Sequence, residues 1–179
     1  MRYLPNGKQM SEADAHTIHK IGIPSLVLME RAALQIVETM HKKNISTEKS
    51  LIVCGSGNNG GDGFAVARLL TEQGKHADVL FAGKEASLSE ECRCQKQIVE
   101  NMGISVFTEF PDEEYTVIID AVFGVGLCRE ITGHYKDVID WMNLQDTEKV
   151  AVDIPSGICA ATGEILGTAF RADLTVCMA

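Results

Sequence analysis

The sequence predicts an α/β fold, a Rossmann-like three-layer αβα sandwich with a mainly parallel sheet and an N-terminal helical extension. Two observations carry this. From Leu51 onward, short apolar runs of strand length alternate with longer helical stretches, the pattern of βαβ units whose parallel sheet is covered on both faces. The first run also passes through a glycine-rich turn straight into a helix, as dinucleotide-binding units do.

The elements follow in order. Ser11-Glu12-Ala13-Asp14 has the spacing of a capped helix start, and Gly22 suits its end. Pro24 and Ser25 open a second helix, whose Leu26, Met29, Ala33, Ile36, Val37 and Met40 recur at three and four. Strands are expected at 51–54, 77–81, 104–107, 117–119, 150–152 and 174–177. Helices are expected at 63–73, at 88–102 behind the Ser87-to-Glu90 capping spacing, and at 135–142. At 179 residues the chain reads as one domain over 1–179, and its stop directly after an apolar run reads as a shortened C-terminus.

Composition narrows the function. The 25 acidic and 16 basic side chains leave a formal charge of −9, which argues against nucleic-acid or anionic-membrane partners. No signal sequence or spanning segment is apparent, and the six scattered cysteines suit reduced thiols, so a cytoplasmic location is expected. The pair Cys92 and Cys94 reads as helix thiols rather than metal ligands, because residues two apart project to different sides.

Three loops hold the chemistry. Gly55-Ser56-Gly57-Asn58-Asn59-Gly60 fits the G-x-G-x-x-G fingerprint, yet the second strand ends Phe81-Ala82-Gly83-Lys84, without the acidic residue that grips an adenosine ribose. An NAD-dependent dehydrogenase is thereby disfavoured. The loop runs on through Gly61-Asp62-Gly63, a glycine density that lets backbone amides approach a phosphate at a helix N-terminus. Asp120 in the second loop and Asp153 in Asp153-Ile154-Pro155-Ser156-Gly157 each follow a strand, where either could also be a turn or cap residue. In a doubly wound sheet all three loops share the carboxyl edge, bringing Asn59, Asp120, Asp153 and Ser156 together. No histidine lies in them, and no G-x-S-x-G elbow occurs.

These motifs, with Gly22-Ile23-Pro24-Ser25-Leu26 ahead of them, resemble the signatures of the YjeF N-terminal domain family, the NAD(P)H-hydrate epimerases. The resemblance implies an isomerase that interconverts the R and S forms of hydrated NADH or NADPH (NADHX, NADPHX) at C6, so that an NAD(P)H-hydrate dehydratase can restore the cofactor. It implies a potassium ion held by Asn59, Asp120 and Ser156. It implies substrate contacts from Asn58, Asn59, Gly60, Gly61 and Asp62, from Gly124, Val125, Gly126, Leu127, Cys128, Arg129 and Glu130, and from Asp153. Family members extend by a further strand and helix, and many bacterial ones continue into a dehydratase domain. Of these residues Asp153 is the choice for acid–base catalysis, since Asp120 is committed to the ion and the helix dipole keeps Asp62 charged. A non-catalytic protein- or nucleotide-binding module on the same fold is the alternative, and the oligomeric state stays open, a homodimer being one option.

Overall fold

The computed structural model describes residues 7–178. Helix α1 (Gly7–His16) runs into one wide turn (Thr17–Ile21), which Gly22 ends in the left-handed conformation at φ 87°. The helix thus starts four residues ahead of the expected Ser11. Helix α2 (Ser25–Lys42) follows and buries Met29, Ala33, Ile36, Val37 and Met40, the periodic face that its sequence marks.

Six strands form one sheet: β1 (Lys49–Cys54), β2 (His76–Phe81), β3 (Val106–Phe107), β4 (Val117–Ala121), β5 (Glu148–Val152) and β6 (Leu174–Val176). Their order is β3-β2-β1-β4-β5-β6, and every neighbouring pair is parallel. The chain therefore winds one way from β1 to β3 and the other way from β4 to β6, which makes the gap between the tips of β1 and β4 the topological switch point. The third strand is shorter than its sequence suggested, because Ile104 and Ser105 lie before the pairing begins.

Alternate residues of each strand feed opposite layers. Ile52, Cys54, Val79, Ile119 and Val152 face α2, α3 (Asn58–Glu72) and α4 (Glu90–Asn101). Leu51, Val53, Ile118 and Ala151 pack instead with Val138, Ile139 and Met142 of α5 (His134–Leu144). Helix α4 is capped by Ser89, whose side chain accepts from the Cys92 amide; the expected cap Ser87 ends a short turn before it. No helix among the described residues is long and apolar enough to cross a membrane.

Helix α3 begins at Asn58, five residues ahead of the expected Gly63, so the asparagine-glycine motif is its first turns rather than a loop. This changes what its glycines are for. A Cβ on Gly60 would lie 2.0 Å from the Gly55 carbonyl oxygen, and one on Gly63 would lie 2.6 Å from Ala121 Cβ and 2.7 Å from Cys54 Sγ. Gly61 is likewise filled, with the end of Met29 at 2.6 Å and the Cys92 backbone at 3.3 Å. On their Cβ side Gly60 and Gly61 leave room for the protein, for Gly55 and for Met29 and Cys92, while Gly63 lets α3 lie directly on the tips of β1 and β4. Gly63→Ala should consequently lose about 1–3 kcal/mol of stability. Gly126→Ala, whose Cβ meets nothing within 4 Å, should stay within about 0.5 kcal/mol of wild type. Urea unfolding of the two variants checks the contrast.

Candidate active site

Above the switch point lies a cavity of about 820 Å³, within the range of small-molecule sites. Its floor comes from the start of α3 (Ser56 to Asn59, and Asp62), the β4–α5 loop (Val122 to Arg129) and the β5 tip (Asp153, Ile154). Its wall comes from Gly7, Met10 and Asp14 of α1 and from Thr175, Cys177 and Met178 around β6. Sequence reasoning missed the wall, which is made mostly of residues carrying no chemistry.

The classical adenosine crevice between β1 and β2 is closed. The Ser89 amide donates to the Ser56 carbonyl at 2.9 Å, pinning α4 there, and Gly83 packs so near Ser56 that a Cβ would sit 2.8 Å from the Ser56 nitrogen. A ligand at the switch point is thereby turned toward β4, β5 and β6. This is the structural counterpart of the missing ribose-binding acid.

Asp120 does not follow β4 but is part of it, paired between Val53 and Ala151 and fully buried. A carboxylate there must be satisfied by hydrogen bonds. Its Oδ2 accepts from the Ser156 amide at 2.7 Å, and its Oδ1 accepts from the Ser156 hydroxyl at 2.6 Å and the Val122 amide at 3.1 Å. The Ser156 oxygen in turn accepts from the Phe123 amide at 2.9 Å. Burial pushes the Asp120 pKa up to about 6, against the lowering effect of the Ser156 and Val122 donors.

Asp153 has a left-handed backbone, φ 68°, unusual outside glycine. It is the centre of a three-residue turn in which the Ile154 amide donates to the Val152 carbonyl at 2.9 Å, while its own amide reaches the Val176 carbonyl at 2.8 Å. The turn ends the strand abruptly and presents the carboxylate to the cavity, where Oδ2 accepts from the Val125 amide at 3.2 Å. Such strain clusters at functional sites.

Asn59 lines the cavity, and its Nδ2 is buried with no hydrogen-bond partner. The Asn58, Asn59 and Gly60 amides also make no hydrogen bond to any described residue, since that of Gly61 is the first to close a helical turn, onto Gly57. Gly60 and Gly61 do not line the cavity, nor does Glu130, while Asp120 and Ser156 lie buried beneath it. Among the described residues no three His, Cys, Asp or Glu are grouped to hold a metal.

Asp62 departs furthest from expectation. Its carboxyl forms no hydrogen bond or ion pair with any described residue, and it borders both this cavity and a second one of about 780 Å³ beside α2. Burial, then the like charges of Asp153 and Asp14, raise its pKa from 3.8 to about 8. Desolvation and repulsion thus outweigh the helix dipole that was expected to keep it charged.

The sign of the stability effect follows. The folded protein holds this proton where the unfolded chain has lost it, so Asp62 costs nothing below the usual carboxylate range and progressively more as pH rises to about 8. Asp62→Asn should raise Tm by at least about 2 °C at pH 8 and leave it unchanged at about pH 4. Thermal unfolding of both proteins across that range is the check.

The chain is 43% identical over 175 residues to an NAD(P)H-hydrate epimerase of Oenococcus oeni, covering 97% of this chain and 83% of that one. It is 45% identical over 178 residues to one of Limosilactobacillus reuteri, covering 98% and 84%. A yeast crystal structure, YNL200c, superposes with a TM-score of 0.83 at 20% identity, covering 97% of this chain and 79% of that one, and so shares the fold. Residues 25–179 match the family described as YjeF-related protein N-terminus, and the chain belongs to that family.

Proposed function

We propose that the chain is an NAD(P)H-hydrate epimerase, interconverting the R and S forms at C6 of hydrated NADH or NADPH in the cytoplasm and supplying a stereospecific dehydratase. The observation that carries this reading is the Asp153 carboxylate at the mouth of the β1/β4 switch point, in a chain alike along almost its whole length to proteins of that name. The unpartnered amides at the start of α3 suit the substrate's diphosphate, because a helix N-terminus offers both donors and a positive dipole end.

A potassium ion fits the residues present. Asn59, Asp120 and Ser156 offer amide, carboxylate and hydroxyl oxygens, as a hard cation prefers. Bound there, the ion supplies positive charge near an anionic substrate in a chain of net charge −9.

Inversion at C6 requires a bond of that carbon to break and re-form, either carbon–oxygen or, by ring opening to an aldehyde, carbon–nitrogen, and both routes need a proton shuttle. On the first, the ring nitrogen beside C6 stabilises the cation left when the hydroxyl departs, and a carboxyl that carries protons to and from oxygen lowers both barriers. Asp153 is positioned for proton transfer because its turn and the Val125 amide fix the direction of its carboxylate. Asp153→Asn should bind NADH hydrate nearly normally and epimerise it at least ~100-fold more slowly. The assay follows an epimer-enriched NADH hydrate coupled to a purified S-specific dehydratase. Wild-type protein that leaves the epimer ratio unchanged would refute the reading and favour a binding module.

A further inference from the structure

The tightness with which Asp153 is held raises a difficulty that the structure itself resolves. The hydroxyl leaves C6 from one face and water returns to the other, so inversion needs proton transfer on both sides of the ring. A carboxylate fixed by a left-handed turn and by the Val125 amide at 3.2 Å serves one direction. A second carboxyl borders the same cavity from a different element: Asp62, on α3, has neither a hydrogen bond nor an ion pair among the described residues. An acidic group that loses part of its hydration without gaining a donor is costly. The rest of α3 packs through Phe64, Ala65, Val66, Ala67, Leu69 and Leu70, and Asp62 is the acidic side chain of its first turns.

We propose that Asp62 and Asp153 act as a two-carboxyl pair in the cavity, Asp62 giving a proton to the departing C6 hydroxyl while Asp153 takes one from the water that returns. The inference rests on the epimerase reading and extends it. In the step, the C6–O bond breaks with its electron pair going to oxygen, which takes the Asp62 proton and leaves as water. The ring-nitrogen lone pair closes to a nitrogen–carbon double bond. Water then adds its lone pair to C6 from the opposite face, the double-bond pair returns to nitrogen, and the surplus proton passes to Asp153. The pair is left with its proton on the other carboxyl, the arrangement that runs the opposite epimer's reaction, and solvent restores the first state.

The groups around Asp62 disfavour a charge on it. Asp14 of α1 and Asp153 both repel a charge on Asp62. Cys54 of β1 and Cys92 of α4 lie on its inner side, their thiols pushed up by burial and so neutral. Of the cationic side chains, Arg129 borders the first cavity and Arg31 the second, where Glu91 accompanies it. Neither arginine pairs with Asp62.

The test measures kcat and the dissociation constant for an epimeric mixture of NADH hydrate, from about pH 5 to pH 9, on wild-type, Asp62→Asn and Asp62→Glu proteins. Wild-type activity is measured first, so that its absence speaks against the epimerase reading and not against the pair. Asp62→Asn should bind within about threefold of wild type yet lose at least ~100-fold in kcat, and Asp62→Glu should recover part of it. Wild-type kcat should fall as pH rises through about 8, where Asp62 loses its proton, and the residual rate of Asp62→Asn should lack that fall. Folded Asp62→Asn with kcat within threefold of wild type overturns the proposal and returns both proton transfers to Asp153. A loss seen in the dissociation constant instead of kcat overturns it too, making Asp62 a binding residue.

Discussion

The site is built on one hydrogen-bonded unit, the buried carboxylate of Asp120 gripping both the amide and the hydroxyl of Ser156. Asp120 belongs to β4 and Ser156 to the chain beyond β5, so the grip ties together the exits of two neighbouring strands. The Val122 amide on the same carboxylate turns the β4–α5 loop, and the Phe123 amide on the Ser156 oxygen holds that loop against the β5 exit. Removing either side chain takes away the 2.6 Å hydrogen bond between them in a buried place, a loss of about 1–3 kcal/mol. The same loop, two residues beyond Phe123, places the Val125 amide on Asp153, so the Asp120–Ser156 unit and the Asp153 carboxylate share one support.

The sequence made the frame legible because the frame is written in periodicity. Strand runs such as Leu51 to Cys54 have no alternative once both faces are apolar, and the three signatures sit at their ends. The glycines were harder. Glycine serves close approach to a ligand and close approach to the protein's own backbone equally well, and residue type does not separate the two. Gly60 and Gly63 turned out to serve the second, with Gly55 and the Cys54–Ala121 tips as their neighbours. Asp62 was misjudged for a related reason. Its place near a helix start is visible in sequence, whereas its burial and the approach of Asp14 and Asp153 are tertiary facts.

The cavity wall shows the same limit from another side. Met10 and Gly7 of α1 and Met178 beyond β6 shape the space above the switch point, yet none is of a type that advertises a site. Gly7 packs where a Cβ would stand 3.6 Å from Val125 Cβ, so the N-terminal helix rests on the very residue whose amide holds Asp153. A helix that reads in sequence as an appendage is in space part of the loop's support. Chemistry-bearing residues can be found by type, but the surfaces that confine a substrate only by folding the chain.

Asp153 in its left-handed turn, the unpartnered Asn59 amide and the unpaired Asp62 all border one cavity, while Asp120 beneath it is fully bonded. Acidic groups look ill suited to an anionic substrate, but the Asn58 and Asn59 amides beside the same cavity make no hydrogen bond to any described residue. What carboxyls do suit is positive charge, and under the proposed chemistry positive charge appears at the ring nitrogen and C6 only as the hydroxyl departs. With one proton on the pair, the remaining carboxylate opposes that charge at the moment it forms and has little to gain from the neutral ring before it. On the proposed chemistry, the free energy that the fold forgoes by leaving Asp62 without a donor is recovered chiefly in the transition state, where it accelerates the reaction rather than merely tightening binding.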